Sequence, residues 1–154
     1  MVWMKLLITV AASLIAGWIG SVFTMDAIAS WYAALDKPPL TPPNWIFGPV
    51  WTALYVMMGL AAGLVWQAKG APGKGFALGL FFAHLFVNAM WSIVFFTFES
   101  PGWALGVIGL LLLMIVALLV LFERHSRTAA YLLIPYLLWV SFASYLNAGI
   151  WWLN

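Results

Sequence analysis

Residues 26–43 read DAIASWYAALDKPPLTPP and lead directly into NWIFGPVWTALYVM at 44–57. A connection that only joined two membrane helices would need a few polar residues. This one holds Trp31, Tyr32, Lys37 and four prolines, so it has a shape of its own and reads as a lid or binding loop. On either side lie apolar runs. Leu6–Phe23 precedes it, behind a single Lys5, and resembles a signal peptide in outline. Its 18 residues and its Gly17, Trp18 and Gly20 suit a retained transmembrane helix better.

The whole chain repeats this character. Its 154 residues are 66% hydrophobic and 6% charged, with a mean hydropathy of +1.07, which excludes the charged exterior of a soluble domain. Apolar runs of about 20 residues predict an all-α membrane protein. It is a single domain over 1–154, a bundle of five transmembrane helices near 5–25, 44–67, 74–98, 102–123 and 128–152, with a lid-like loop at 26–43. The breaks are chemically legible: Lys69–Gly73 is a turn, Ser100 and Thr41 precede prolines as candidate caps, and Glu123–Arg127 is a polar hinge.

Lys5, Lys69, Lys74, Arg124 and Arg127 fall on the N-terminal side of this topology, against Lys37 alone opposite. The positive-inside rule then places the N-terminus inside and the 26–43 loop outside. That assignment presumes a plasma membrane, a bacterial cell membrane by expectation, and an outer or organelle membrane would need it revisited. A net charge of +2 on ten charged side chains speaks to topology and gives no reason to expect a nucleic-acid partner. With no cysteine, disulfides, thiolate metal sites and cysteine nucleophiles are excluded. The carboxylates Asp26, Asp36, Glu99 and Glu123 all lie at helix ends. Neither a paired acid/base site nor a proton-coupled transport path is visible, although passive translocation is untouched by that argument.

Within the third span His84, Asn88 and Ser92 recur every four residues, with Trp91 and Phe95 one step around. This polar face should point into the bundle. Gly75, Gly79 and Ala83 form a small-residue stripe, and Gly79 lies roughly 180° from Asn88 at about 100° per residue. The stripe is the expected homodimer interface. Gly59/Gly63 and Gly102/Gly106 repeat the spacing, and internal packing explains at least two of the three stripes. The Leu-rich fourth span reads as scaffold. Taking roughly 1.5 Å per residue, Trp18, Trp51, Asn88, Trp91 and Trp139 all fall in the half of the bilayer under the loop. They form either plain core and interfacial belt or the wall of a site for a flat, mostly apolar ligand needing one amide partner.

Several strings resemble the translocator protein family, whose bacterial members are the tryptophan-rich sensory proteins, also known as peripheral benzodiazepine receptor-like proteins. They are Trp31-Tyr32 through Leu35 and Lys37-Pro38, Pro42-Pro43-x-Trp45, Pro49-x-Trp51-x-x-Leu54-Tyr55, Asn88-x-x-Trp91 with Phe95-Phe96, and Pro135-Tyr136-Leu137-x-Trp139 through Phe142-Ala143 to Leu146-Asn147. The resemblance implies a homodimeric five-helix receptor or sensor that binds tetrapyrroles such as protoporphyrin IX and haem, sterols in some members, and synthetic aromatic amides. The porphyrin or haem is a ligand, with no obligatory cofactor and no metal site. The pocket implied lies beneath the first loop and takes Phe47, Gly48 and Trp51 from the second helix and Asn88 from the third, to which the loop and the polar face add Trp31, Tyr32, His84 and Trp91 as candidates. Trp103 and Gly106 would come from the fourth helix and Trp139, Ala143 and Leu146 from the fifth. Trp51 and Asn88 match positions that hydrogen-bond a ligand carbonyl. The alternatives are light- and oxygen-dependent porphyrin breakdown, in which Trp51 and Trp139 would matter, or passive translocation of porphyrin or sterol.

Two positions depart from the family pattern. Leu40 stands where many relatives carry an aromatic residue, which removes a stacking surface from the lid. His84 stands where an amide is usual; it is either a haem-iron ligand or, more simply, a hydrogen-bonded core residue. The sterol-recognition pattern of animal relatives is incomplete here. Only a reversed version, Arg127 through Tyr131 to Leu133, occurs, and such motifs are weak.

Overall fold

A computed structural model of the chain describes residues 2–70 and 72–154. Met1, and Ala71 within the expected 69–73 turn, lie outside the described residues. Helix α1 spans Val2–Ala29, a short α2 spans Trp31–Ala34, and α3 spans Asn44–Gln67. Helix α4 (Lys74–Ser92) runs into a π-helical turn at Ile93–Thr97; α5 (Pro101–Glu123) and α6 (Arg127–Leu153) follow. Five of these segments, counting α4 with its π turn as one, are long and apolar enough to cross a membrane. The protein is an integral, multi-pass membrane protein.

The expected helices are all present, with two differences near the loop. Asp26–Ala29 continues α1, because nothing in DAIA breaks a helix and Ser30 Oγ turns back to donate to the Asp26 carbonyl at 2.7 Å. The lid therefore starts at residue 30, and its first part is itself helical. Thr41 does not cap α3. Its hydroxyl donates to the Pro38 carbonyl at 2.7 Å, and the helix begins at Asn44, after an extended Pro43. The Ser100 side chain makes no cap bond either, whereas Ser126 Oγ accepts from the Ala129 N–H and caps α6.

The spans pack in a closed ring in the order α1, α3, α6, α5, α4 and back to α1. Glycine sets the tightest seam. A Cβ on Gly59 would lie 2.4 Å from Val10 Cα, and one on Gly63 would lie 3.0 Å from Leu6 Cα, so this stripe packs α3 on α1. Thr9 and Ser13 are buried in the same seam and return their hydroxyls to α1's own carbonyls. On α5, residues Ala104, Ile108, Leu111, Ile115, Leu118 and Phe122 are buried. Their alternating spacing of four and three is a single inward seam, while Leu110, Leu113, Val116 and Val120 face outward. Gly75, Gly79 and Ala83 of α4 are exposed, and a Cβ on either glycine meets nothing within 4 Å. That stripe looks away from the bundle.

Candidate functional site

A cavity of about 610 Å³ opens between α1, α2, α3, α6 and the end of α4. Its size is that of a small-molecule site, and among the described residues no charged side chain lines it. Phe47, Gly48 and Trp51 form the α3 wall, Trp91 the α4 wall, Ala143 and Leu146 the α6 wall, and Tyr32 the roof. These seven expected residues come together. Trp51 is the hub, with its ring centroid 5.7 Å from Tyr55 in a stacked pair, 6.3 Å from Trp91 and 6.4 Å from Tyr136.

The other expected residues lie elsewhere. Trp103 is 80% exposed and, with Gly106, sits outside the cavity. The reason is rotation, because the inward seam of α5 runs through Ala104 and Ile108, and Trp103 and Gly106 lie about 100° and 200° around from Ala104. Trp31 packs edge-on against Phe95 at 5.6 Å, behind the wall. Trp139 supports Phe47 from behind at 6.0 Å. His84 and Asn88 are buried below the cavity. Asn88 is engaged within the protein: its Oδ1 accepts from Tyr55 Oη at 2.5 Å, and its Nδ2 donates to Tyr136 Oη at 2.9 Å. It ties α3, α4 and α6 together through one hydrogen bond on each of its polar atoms.

The largest omission in the sequence reading is α1 beyond Trp18, where Gly17, Gly20, Ser21 and Thr24 join that residue on the wall. Small residues there make room; a Cβ on Gly17 would meet the Tyr55 ring at 2.4 Å. Asn147 is the other. Its Oδ1 accepts from Trp91 Nε1 at 3.0 Å and its Nδ2 donates to the Pro101 carbonyl at 2.8 Å, so it sets the angle of the Trp91 indole. The π turn matters as well. Its five-residue step, closed by Phe98 N–H donating to the Ile93 carbonyl at 3.0 Å, brings Phe95 and Phe96 to the cavity with their rings 4.7 Å apart.

The lid is stitched to α6. Asp36 N–H donates to Asn154 Oδ1 at 3.0 Å, Asn154 Nδ2 donates to the Asp36 carbonyl at 2.9 Å, and Tyr145 Oη donates to the Pro39 carbonyl at 2.9 Å. Lys37 Nζ donates to the Leu35 carbonyl at 2.9 Å and lies 4.8 Å from the centre of the Tyr32 ring. Burial pushes the Tyr32 phenol pKa up, which keeps it a neutral roof. Leu40 has a φ of 69° and is 81% exposed. Its side chain is not part of the cavity lining.

Residues 9–153 match the TspO/MBR family. The chain belongs to the TspO/MBR family. Its similarity to named relatives runs nearly end to end. It is 39% identical over 152 residues to the tryptophan-rich protein TspO of Archaeoglobus fulgidus, covering 98% of this chain and 97% of that one. To the protein of the same name from Chlorobaculum tepidum it is 42% identical over 155 residues, covering 98% and 96%. The translocator protein of Bos taurus is 38% identical over 141 residues, covering 89% of this chain and 82% of its own. The five-span ring and its cavity are thus the architecture of a TspO/MBR membrane protein of the sensor and translocator kind.

Proposed function

We propose that the cavity binds tetrapyrroles, with protoporphyrin IX or haem as the flat apolar ligand, and that the protein is a membrane receptor or sensor for them. The observation that carries this reading is the uncharged, aromatic cavity of about 610 Å³ roofed by a lid. Trp51, Trp91, Phe47 and Phe95 offer faces and edges for a macrocycle. Lys37 supplies a cation beside the roof, and two of its three N–H groups are already turned to the Leu35 and Ala33 carbonyls. The third is free for a ligand carboxylate at the mouth.

Titration of detergent-solubilised protein with protoporphyrin IX in the dark, followed by tryptophan fluorescence, tests the site. Trp51→Ala should weaken saturable binding on the order of tenfold, and Trp103→Ala should leave it unchanged. Equal affinities for wild type and Trp51→Ala would remove the cavity from consideration.

A further inference from the structure

The lid-side halves of α1 and α3 part company. Lower down the two helices form the seam of Gly59 on Val10 and Gly63 on Leu6, and Gly17 closes on the Tyr55 ring above it. Beyond that point α1 leans on α4 and its π turn. A Cβ on Gly20 would meet Ser92 Oγ at 3.3 Å, and Thr97 Oγ1 donates to the Phe23 carbonyl at 3.4 Å. Helix α3 goes instead with α6, where Phe47 packs on Trp139, and a Cβ on Gly48 meets nothing within 4 Å. The cavity occupies the gap that this divergence leaves.

The gap is open at the side. Trp18, Ser21 and Met25 of α1 and Trp45, Gly48 and Thr52 of α3 line the cavity and are nonetheless exposed. Steps of three and four put each trio on one face of its helix, so the two trios are the rims of a slot. Trp18 lies roughly 16 Å below the lid-side end of α1, and Thr52 roughly 12 Å below that of α3. With a hydrocarbon core of about 30 Å centred on these spans, both residues stand roughly 10 Å inside it. The lower part of the slot therefore opens among acyl chains. Its hydroxyl protons are spent within each helix, Ser21 Oγ donating to the Trp18 carbonyl at 2.8 Å and Thr52 Oγ1 to the Gly48 carbonyl at 2.9 Å. Whatever passes there must be apolar.

We infer that this site takes flat heads that carry a long hydrocarbon chain, with the head in the cavity and the chain passing between α1 and α3 into the lid-side leaflet. The inference rests on the ligand-binding reading above and narrows its ligand class. A cavity of about 610 Å³ holds a head of drug size and no long chain besides. An enclosed site would exclude a chain-bearing ligand. The slot admits one, because the chain then exchanges lipid for lipid and no apolar surface has to be moved into water. For a tetrapyrrole, one carboxylate turns to Lys37 beside the roof, and the edge bearing the chain turns to the slot.

The monomethyl and monohexadecyl esters of protoporphyrin IX make the test, because they share a ring and a free carboxylate and differ in the chain alone. Wild-type protein in lipid nanodiscs, titrated in the dark, should bind both saturably. Thr52→Phe puts bulk on the α3 rim, and the ratio of the two affinities should move about tenfold against the hexadecyl ester. Partition of the chain into the bilayer is common to both proteins and cancels in this comparison. Saturable binding of the methyl ester without the hexadecyl ester in wild type, or an unchanged ratio in Thr52→Phe, would overturn the inference and leave the ligand site standing. Absence of saturable binding of both esters and of protoporphyrin IX to wild type would overturn the site itself. Should Thr52→Phe fail to fold, photolabelling of wild type decides, with a diazirine placed early in the hexadecyl chain. Adducts on α1 between Trp18 and Met25 or on α3 between Trp45 and Thr52 support the inference; labelling of neither rim, whether it falls on the lid or on lipid alone, refutes it.

Discussion

Gly59 and Gly48 both lie on α3, and their surroundings are opposite. A Cβ at Gly59 would meet the α1 backbone at 2.4–2.9 Å, whereas one at Gly48, on the cavity wall, meets nothing within 4 Å. Backbone cannot move aside as a flexible side chain can. Gly59→Ala should therefore destabilise the bundle by about 1–3 kcal/mol, read as a lower thermal or denaturant midpoint in detergent. Gly48→Leu should leave that midpoint in place and, by filling the cavity, cost roughly tenfold or more in porphyrin affinity. If Gly48→Leu unfolds the protein, or Gly59→Ala does not weaken it, the assignment of one glycine to packing and the other to the site is wrong. Spacing alone could not separate them. Gly59 and Gly63 repeat at four, as do Gly75 and Gly79, yet one pair is a seam and the other an open face, because spacing fixes which residues share a face and says nothing of what that face meets.

At the scale of elements, the five spans were legible because length and apolarity are enough to define a membrane helix, and their ends follow Gly, Pro and charged residues. The rotation of each helix was less so. On α5 the buried seam through Ala104, Ile108 and Leu111 was written in the spacing, and it contradicts the carried-over placement of Trp103 and Gly106. Apart from Trp18, the small residues on the cavity face of α1, Gly17, Gly20, Ser21 and Thr24, were hidden because they work by occupying little space. The π turn was invisible, since IVFFT contains no breaker. The lid was recognised from its prolines, but its fastening was not. A Cβ on Gly149 of α6 would lie 2.5–2.6 Å from Pro38 Cγ and Cβ, so Gly149→Val should lift the lid without touching the cavity wall. Ligand dissociation, followed by stopped-flow displacement, should then accelerate on the order of tenfold with little change in association. An unaltered dissociation rate would mean that the lid does not gate the cavity.

For the whole molecule, the lid and the C-terminus must share one side of the membrane, since Asp36 and Asn154 exchange two hydrogen bonds. The N-terminus belongs to the other side, where Gln67 Nε2 donates to the Val2 carbonyl at 3.3 Å and Lys74 Nζ to the Ala68 carbonyl at 2.9 Å. Lys5, Lys69, Lys74, Arg124 and Arg127 all gather at that end. Carrying a lysine or arginine across the bilayer centre costs about 2.5–3.5 kcal/mol on insertion scales, so five cations against one should hold the N-terminal end in the cytoplasm and open the cavity outward beneath the lid. The absence of native cysteine allows a direct check with no background. On intact cells, Leu40→Cys in the lid should react with a membrane-impermeant maleimide, while Thr128→Cys at the start of α6 should react only after lysis. The reverse pattern would place the cavity mouth in the cytoplasm. Lys37 would then lie on the cytoplasmic side with the lid, Lys5, Lys69, Lys74, Arg124 and Arg127 would lie outside, and a ligand would reach the cavity from within the cell.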